Sequence, residues 1–139
     1  MAAAPQLAQQ WREAEPFPHI VVDDLVDAAV LDTVVKEFPN PEQIRWEEFD
    51  RSTELKLANA DVSLMGPVTR QLLNEFNAQV FVSFLEAVTG IRGLVPDPHL
   101  EGGGLHQIRS GGFLKVHADF NRHDRLLLDR RLNVLLYLN

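Results

Sequence analysis

The sequence predicts a mixed α+β domain, with helices packed on one face of an antiparallel sheet. Three observations carry this. Apolar residues between Ala28 and Thr89 recur at helical spacing, and from Gly102 onward they alternate with a period of two. The 139 residues, 45% of them hydrophobic, suffice for one core but not for two.

Residues 1–18 read as an arm with a helical turn around Leu7–Glu15, interrupted by Pro16 and Pro18. His19–Val22 is a short apolar run that suits a buried strand, and Asp23 or Asp24 is placed to cap the helix that follows. Ala28, Leu31, Val34, Val35 and Phe38 share one helical face, and Pro39-Asn40-Pro41 stops it. Arg45–Phe49 and Leu55–Ala58 read as short strands around a polar turn. A helix is expected over Met65–Glu75, with Pro67 in its first turn, and another over Ala78–Thr89. In the latter Val80, Phe81, Phe84, Leu85 and Val88 form a stripe read as core, and Gly90 sits where a C-terminal cap belongs. Leu105–Arg109, Phe113–Asp119 and Leu132–Leu138 read as strands, joined by Ser110-Gly111-Gly112 and by the polar stretch Asn121–Asp129. The whole is read as a single domain over 1–139, in which 19–92 is mainly helical support and 93–139 carries the strands.

Composition excludes several classes. Twenty acidic residues against thirteen Lys and Arg give a net charge of -7, unfavourable for a nucleic-acid partner, whose affinity comes from basic side chains displacing counterions. With no cysteine there is no disulfide, thiol nucleophile or cysteine-ligated metal. No apolar run approaches the about eighteen residues of a membrane span, so no membrane partner is expected. Met-Ala-Ala-Ala-Pro-Gln lacks the basic and apolar regions of a signal peptide, which makes a cytoplasmic location the default expectation.

The informative segment runs from Gly111 to Phe120. In a strand, alternate side chains share a face, so His117 and Asp119 point the same way. An imidazole nitrogen and a carboxylate oxygen so placed can chelate one divalent metal, and are two parts of the two-histidine, one-carboxylate triad of non-haem iron oxygenases. A lone His-x-Asp is also a common surface pair.

Its context adds specificity. Gly112, Leu114, His117 and Asp119 are followed by Arg130-x-x-Asn133 and then by Tyr137-Leu138-Asn139. This pattern resembles the 2-oxoglutarate/Fe(II)-dependent dioxygenases, and within them the prolyl 4-hydroxylase-like group. Asn133 stands where threonine or serine is more usual. Asp97-Pro98 and Gly102-Gly103-Gly104-Leu105-His106-Gln107 are similar to the lead-in of a bacterial branch. The resemblance covers residues 95–139 well and the helical half only in general pattern. It implies that the strands open a double-stranded β-helix, or jelly-roll, core, and that the chain is a hydroxylase coupling oxidative decarboxylation of 2-oxoglutarate to C–H hydroxylation. It implies His117 and Asp119 as iron ligands, Tyr137 as a hydrogen-bond donor to 2-oxoglutarate, and Arg130 near the site mouth, toward substrate. Fe(II), 2-oxoglutarate and O2 are the implied cofactors, with ascorbate left open as an accessory reductant. The substrate is a small molecule or a peptidyl residue.

Each residue also has a plainer reading. Tyr137 fits a core aromatic, and Arg130 with Arg131 fits a solvated pair balancing Asp124 and Asp129. His106 fits packing beside a glycine turn, while His99 and His123 read as exposed loop residues. The family's third ligand, a distal histidine, and the basic residue beyond it have no counterpart, because no histidine follows His123. The jelly-roll core is therefore expected to be incomplete at its C-terminus. A fragment of a longer reading frame, a chain completed by a partner, or a non-catalytic remnant all remain open, and the chain alone is expected to bind Fe(II) weakly without turnover. The apolar segment 132–138 is then an unpaired edge, suited to a homo-oligomer or a completing chain. A non-enzymatic module docking that strand on a partner is the competing class. A cupin-like metal protein is disfavoured, since closely spaced histidine pairs and a glutamate are absent.

Overall fold

The computed structural model describes residues 4–138, which form two compact units. Together they hold four α-helices and antiparallel sheets, a mixed α+β chain whose sheets do not close into a barrel among the described residues.

The first unit comprises the residues up to Glu37 together with Gly66–Pro98. Its helices are α1 (Ala4–Glu13), α2 (Ala28–Glu37), α3 (Pro67–Asn77) and α4 (Gln79–Thr89). α1 is longer than a single turn and is no free arm. Ala4, Leu7, Ala8 and Trp11 recur on one face, and α1 packs against α4. His19–Val22 forms no strand; its unit is helical and offers no ladder to join. The cap of α2 is Asp27 rather than Asp23 or Asp24: its Oδ1 accepts the Ala29 amide at 2.8 Å. Along α4 the buried face centres on Val82 and Val88, and Val80 stands 81% exposed, one position off the expected stripe. Phe76, Phe81 and Phe84 meet in series as tilted rings, centroids 4.9 and 5.9 Å apart, and Gly90 caps the helix in the left-handed conformation.

The N-terminus of α3 is capped from a distance. Gly66 supplies no side chain, and the Glu37 carboxylate, from the end of α2, takes over. Its Oε1 accepts the Val68 amide at 3.1 Å, and its Oε2 accepts both the Thr69 amide and the Thr69 hydroxyl at 2.8 Å. A negative charge on the helix N-terminus is favourable as well as hydrogen-bonded. Gly66 is required by proximity: a Cβ there would fall on the Glu37 carboxyl group. Desolvation pushes the Glu37 carboxyl up, but the Thr69 and Val68 bonds, with Arg70 nearby, outweigh it and hold it below its ordinary value.

The second unit comprises Phe38–Met65 and the residues from His99 onward. β1 (Glu47–Arg51) and β2 (Glu54–Asn59) make a hairpin in register Glu47↔Ala58 to Arg51↔Glu54. This ladder lies inside the range the sequence assigned mainly to helical support. β3 (Leu105–Gln107) and β4 (Phe113–Leu114) follow one another along the other edge of β2, paired Asn59↔Leu105 and Leu55↔Phe113. The excursion 108–112 separates them, with Gly112 so close to β2 that a Cβ would meet Leu55 O at 2.6 Å. A separate ribbon, β5 (Arg122–His123) and β6 (Leu128–Asp129), pairs Arg122↔Asp129. Trp46, Leu57, Ala58, Met65 and Leu105 are the buried apolar residues of this unit.

Two expected strands are corrected. The strand from Phe113 ends at Leu114 instead of Asp119, because its partner runs out: β2 begins at Glu54, and Lys115 N–H to Thr53 O, 2.9 Å, is the last rung. Residues 132–138 join no sheet among the described residues. Their alternating pattern marks a segment able to pair, but the short β5–β6 ribbon ends at Asp129 and provides no neighbour. Val134, Leu135, Leu136 and Tyr137 are accordingly exposed. Asn139, the last residue of the Tyr-Leu-Asn motif, lies outside the described residues.

Candidate metal centre

His117 and Asp119 lie just past the end of the sheet, in irregular chain that bends at Val116. Their side chains meet although the strand from which the alternation was argued has already ended, with His117 Nε2 3.4 Å from Asp119 Oδ1. His117 Nδ1 is 2.7 Å from the Lys115 carbonyl oxygen. A carbonyl only accepts, so Nδ1 carries the hydrogen, and in the neutral imidazole Nε2 is left with a lone pair. Two lone-pair atoms then face each other. Their separation exceeds the about 2.7–2.9 Å of a charge-assisted hydrogen bond.

The other carboxylate oxygen is occupied. Asp119 Oδ2 takes Arg130 Nη2 at 3.2 Å and accepts the Asn133 side-chain amide at 3.2 Å. Arg130 is itself held, its guanidinium 4.4 Å over the Phe120 ring and its backbone N–H donated to Asn121 O at 2.8 Å. The Phe120 ring sits where Gly102 leaves room, since a Cβ there would meet the ring edge at 2.8 Å.

The structure thus brings together His117, Asp119, Arg130 and Asn133. Tyr137 is 76% exposed and stands outside these hydrogen bonds among the described residues. Arg130 pairs with Asp119, and not with Asp124 or Asp129 among the described residues. His106 packs as expected beside a glycine turn, Nε2 donating to Gly103 O at 3.1 Å. Desolvation lowers its pKa, helped by Lys56, and outweighs the Gly103 bond, Asp119 and Glu54. His99 is exposed.

His123 corrects the sequence reading: it is buried, not exposed. Its Nδ1 accepts the Leu126 amide at 3.1 Å and lies 3.2 Å from Glu101 Oε2, while the His99 and Phe120 rings flank it. It therefore anchors the β5–β6 ribbon that leads into Arg130. The polar stretch around it conceals this, for only the spacing of Arg122-His123 against Leu128-Asp129 hints at a ribbon.

No third His, Cys, Asp or Glu joins the pair in a metal-holding group among the described residues. A cleft of about 910 Å³ in this unit is lined by Arg45, Trp46, Glu48, Leu57 and Arg109 among others, and neither His117 nor Asp119 lines it. No described helix is long and apolar enough to cross a membrane. No family model matches the chain, and no curated protein or solved structure does.

Proposed function

We propose that this chain carries the metal-binding part of an Fe(II)- and 2-oxoglutarate-dependent dioxygenase domain of the prolyl 4-hydroxylase-like type, acting in the cytoplasm on a small molecule or peptidyl residue. The observation that supports it is the 3.4 Å approach of His117 Nε2 to Asp119 Oδ1, a ring nitrogen and a carboxylate oxygen turned toward one another. Ligand bonds of about 2.1 Å put neighbouring ligand atoms of an octahedral ion about 3.0 Å apart. The pair needs to close by only a few tenths of an ångström to fit, and its mixed nitrogen and oxygen donors suit Fe(II). When bound, Fe(II) with 2-oxoglutarate and O2 supplies the oxidation of an unactivated C–H bond.

What the chain's own residues contribute is orientation. The Lys115 carbonyl sets the histidine tautomer, and Arg130 and Asn133 occupy the oxygen of Asp119 that faces away from His117. The pair supplies two of the three protein ligands of a facial triad; in this reading Tyr137 turns inward to 2-oxoglutarate, within a jelly-roll core. The test is anaerobic Fe(II) titration of the parent, His117→Ala and Asp119→Ala. Loss of binding in both variants supports the proposal, and undiminished binding in both refutes it.

A second reading rests on the exposed apolar run Val134–Tyr137, 38–76% accessible. An interaction module that docks this segment on a partner's sheet would form a constitutive complex, indifferent to chelator and to both substitutions. Equilibrium sedimentation with and without chelator separates the two.

A further inference from the structure

We infer that Arg130 and Asn133 are positioning residues that present a single oxygen of Asp119 to the metal, an inference that rests on the metal-centre reading above. An aspartate in unpaired chain turns freely about two side-chain bonds, and a divalent ion can take either of its oxygens or both. Here Oδ2 carries two donors at 3.2 Å from residues eleven and fourteen positions further on, and Oδ1 is left toward His117. The clamp is built independently of the carboxylate it holds. Phe120 supports the guanidinium from one side, Gly102 makes room for Phe120, and the Asn121 carbonyl fixes the Arg130 backbone. The guanidinium, 18% exposed against 41% for the carboxylate, is the more enclosed partner. It is therefore in place before a metal arrives, as an outer-shell partner must be.

The alternative role for Arg130 is simple neutralisation of Asp119, and the two roles predict opposite signs. A guanidinium that only neutralises competes with a divalent cation, so its removal tightens metal binding. A guanidinium that orients the carboxylate weakens binding when removed, by the about 10- to 100-fold typical of outer-shell partners.

The experiment is Co(II) titration of the 139-residue chain, followed by visible absorption, with circular dichroism as the check on folding. Arg130→Ala is expected to weaken Co(II) binding about 10- to 100-fold and to change the absorption envelope as the carboxylate becomes free to bind through both oxygens. Arg130→Lys, which keeps the charge without the planar fork, is expected to recover part of that loss. Asn133→Ala, at an exposed position where truncation does not threaten the fold, is expected to show a smaller loss in the same direction. Parent-like or tighter binding in Arg130→Ala and Asn133→Ala, with binding abolished in His117→Ala and Asp119→Ala, overturns the positioning role and leaves the metal centre standing. Parent-like binding in His117→Ala and Asp119→Ala removes the metal centre and the clamp with it.

Discussion

Replacing Glu37 by alanine takes one acceptor group away from three donors. The Val68 amide, the Thr69 amide and the Thr69 hydroxyl, at 3.1, 2.8 and 2.8 Å, all end on that carboxylate. A local cap residue satisfies one such donor and its loss costs about 1 kcal/mol, within a range of about 0.5–2. Three bonds to a charged acceptor exceed that, but the first turn of α3 is only part-buried and water replaces some of the loss. The worked figure is about 2 kcal/mol, which for a chain of this size lowers Tm by about 6 °C. Glu37→Gln keeps one acceptor oxygen without the charge and is expected to lose about half as much. Urea denaturation followed by circular dichroism at 222 nm measures both. Because the folded Glu37 pKa lies below its ordinary value of 4.5, the charged form is favoured by folding. The advantage of the parent over Glu37→Gln is therefore full above that value and shrinks as pH falls through it. A Glu37→Ala variant within about 0.3 kcal/mol of the parent at pH 7 would refute the capping argument.

Further expectations follow from neighbouring geometry. Gly66→Ala drives a Cβ into the same carboxylate and is expected to cost about 1–2 kcal/mol, with no added loss in the Glu37→Ala background, a double-mutant cycle in urea being the measurement. Val88, 1% exposed, loses two methyl groups in Val88→Ala, and about 2 kcal/mol is expected in the same denaturation assay. His106 is lowered from 6.5 in the folded chain, so folding favours its neutral form. That contribution is complete above pH 6.5 and is lost as pH falls below it; His106→Gln is expected to flatten this part of the stability–pH profile.

Much of the helical unit was legible because its signals are local. The stripes of α2 and α4, the stop at Pro39-Asn40-Pro41, Pro67 at the head of α3 and Gly90 at the end of α4 all act within a turn or two of the residues they control. The cap of α3 was not legible, since its acceptor lies 31 residues upstream. The strands show the same limit. Alternation from Leu105 to Asp119 marks which side chains share a face, and His117 and Asp119 do meet, but how far a ladder runs depends on its partner. Segment 132–138 has the pattern of a strand and no neighbour. At the site, the spacing pointed to the approach of His117 and Asp119 but to nothing that surrounds it. The Arg130–Phe120–Gly102 stack and the burial of His123 were not legible, because they join loops that only tertiary contact brings together.

The two-residue turn at Ser52-Thr53 has the effect of a length gauge. By starting β2 only at Glu54 it lets Lys115 make the last rung and releases everything after it from the sheet. Four residues added to each arm of the β1–β2 hairpin would carry the ladder on past His117 and swing its ring to whatever face the pleat dictates. As built, Asp119 is tied to the end of the β5–β6 ribbon instead, through Arg130. Amide exchange should record the handover: protected at Lys115, fast at Val116 and His117, and faster still at Asp119 once the arginine is gone.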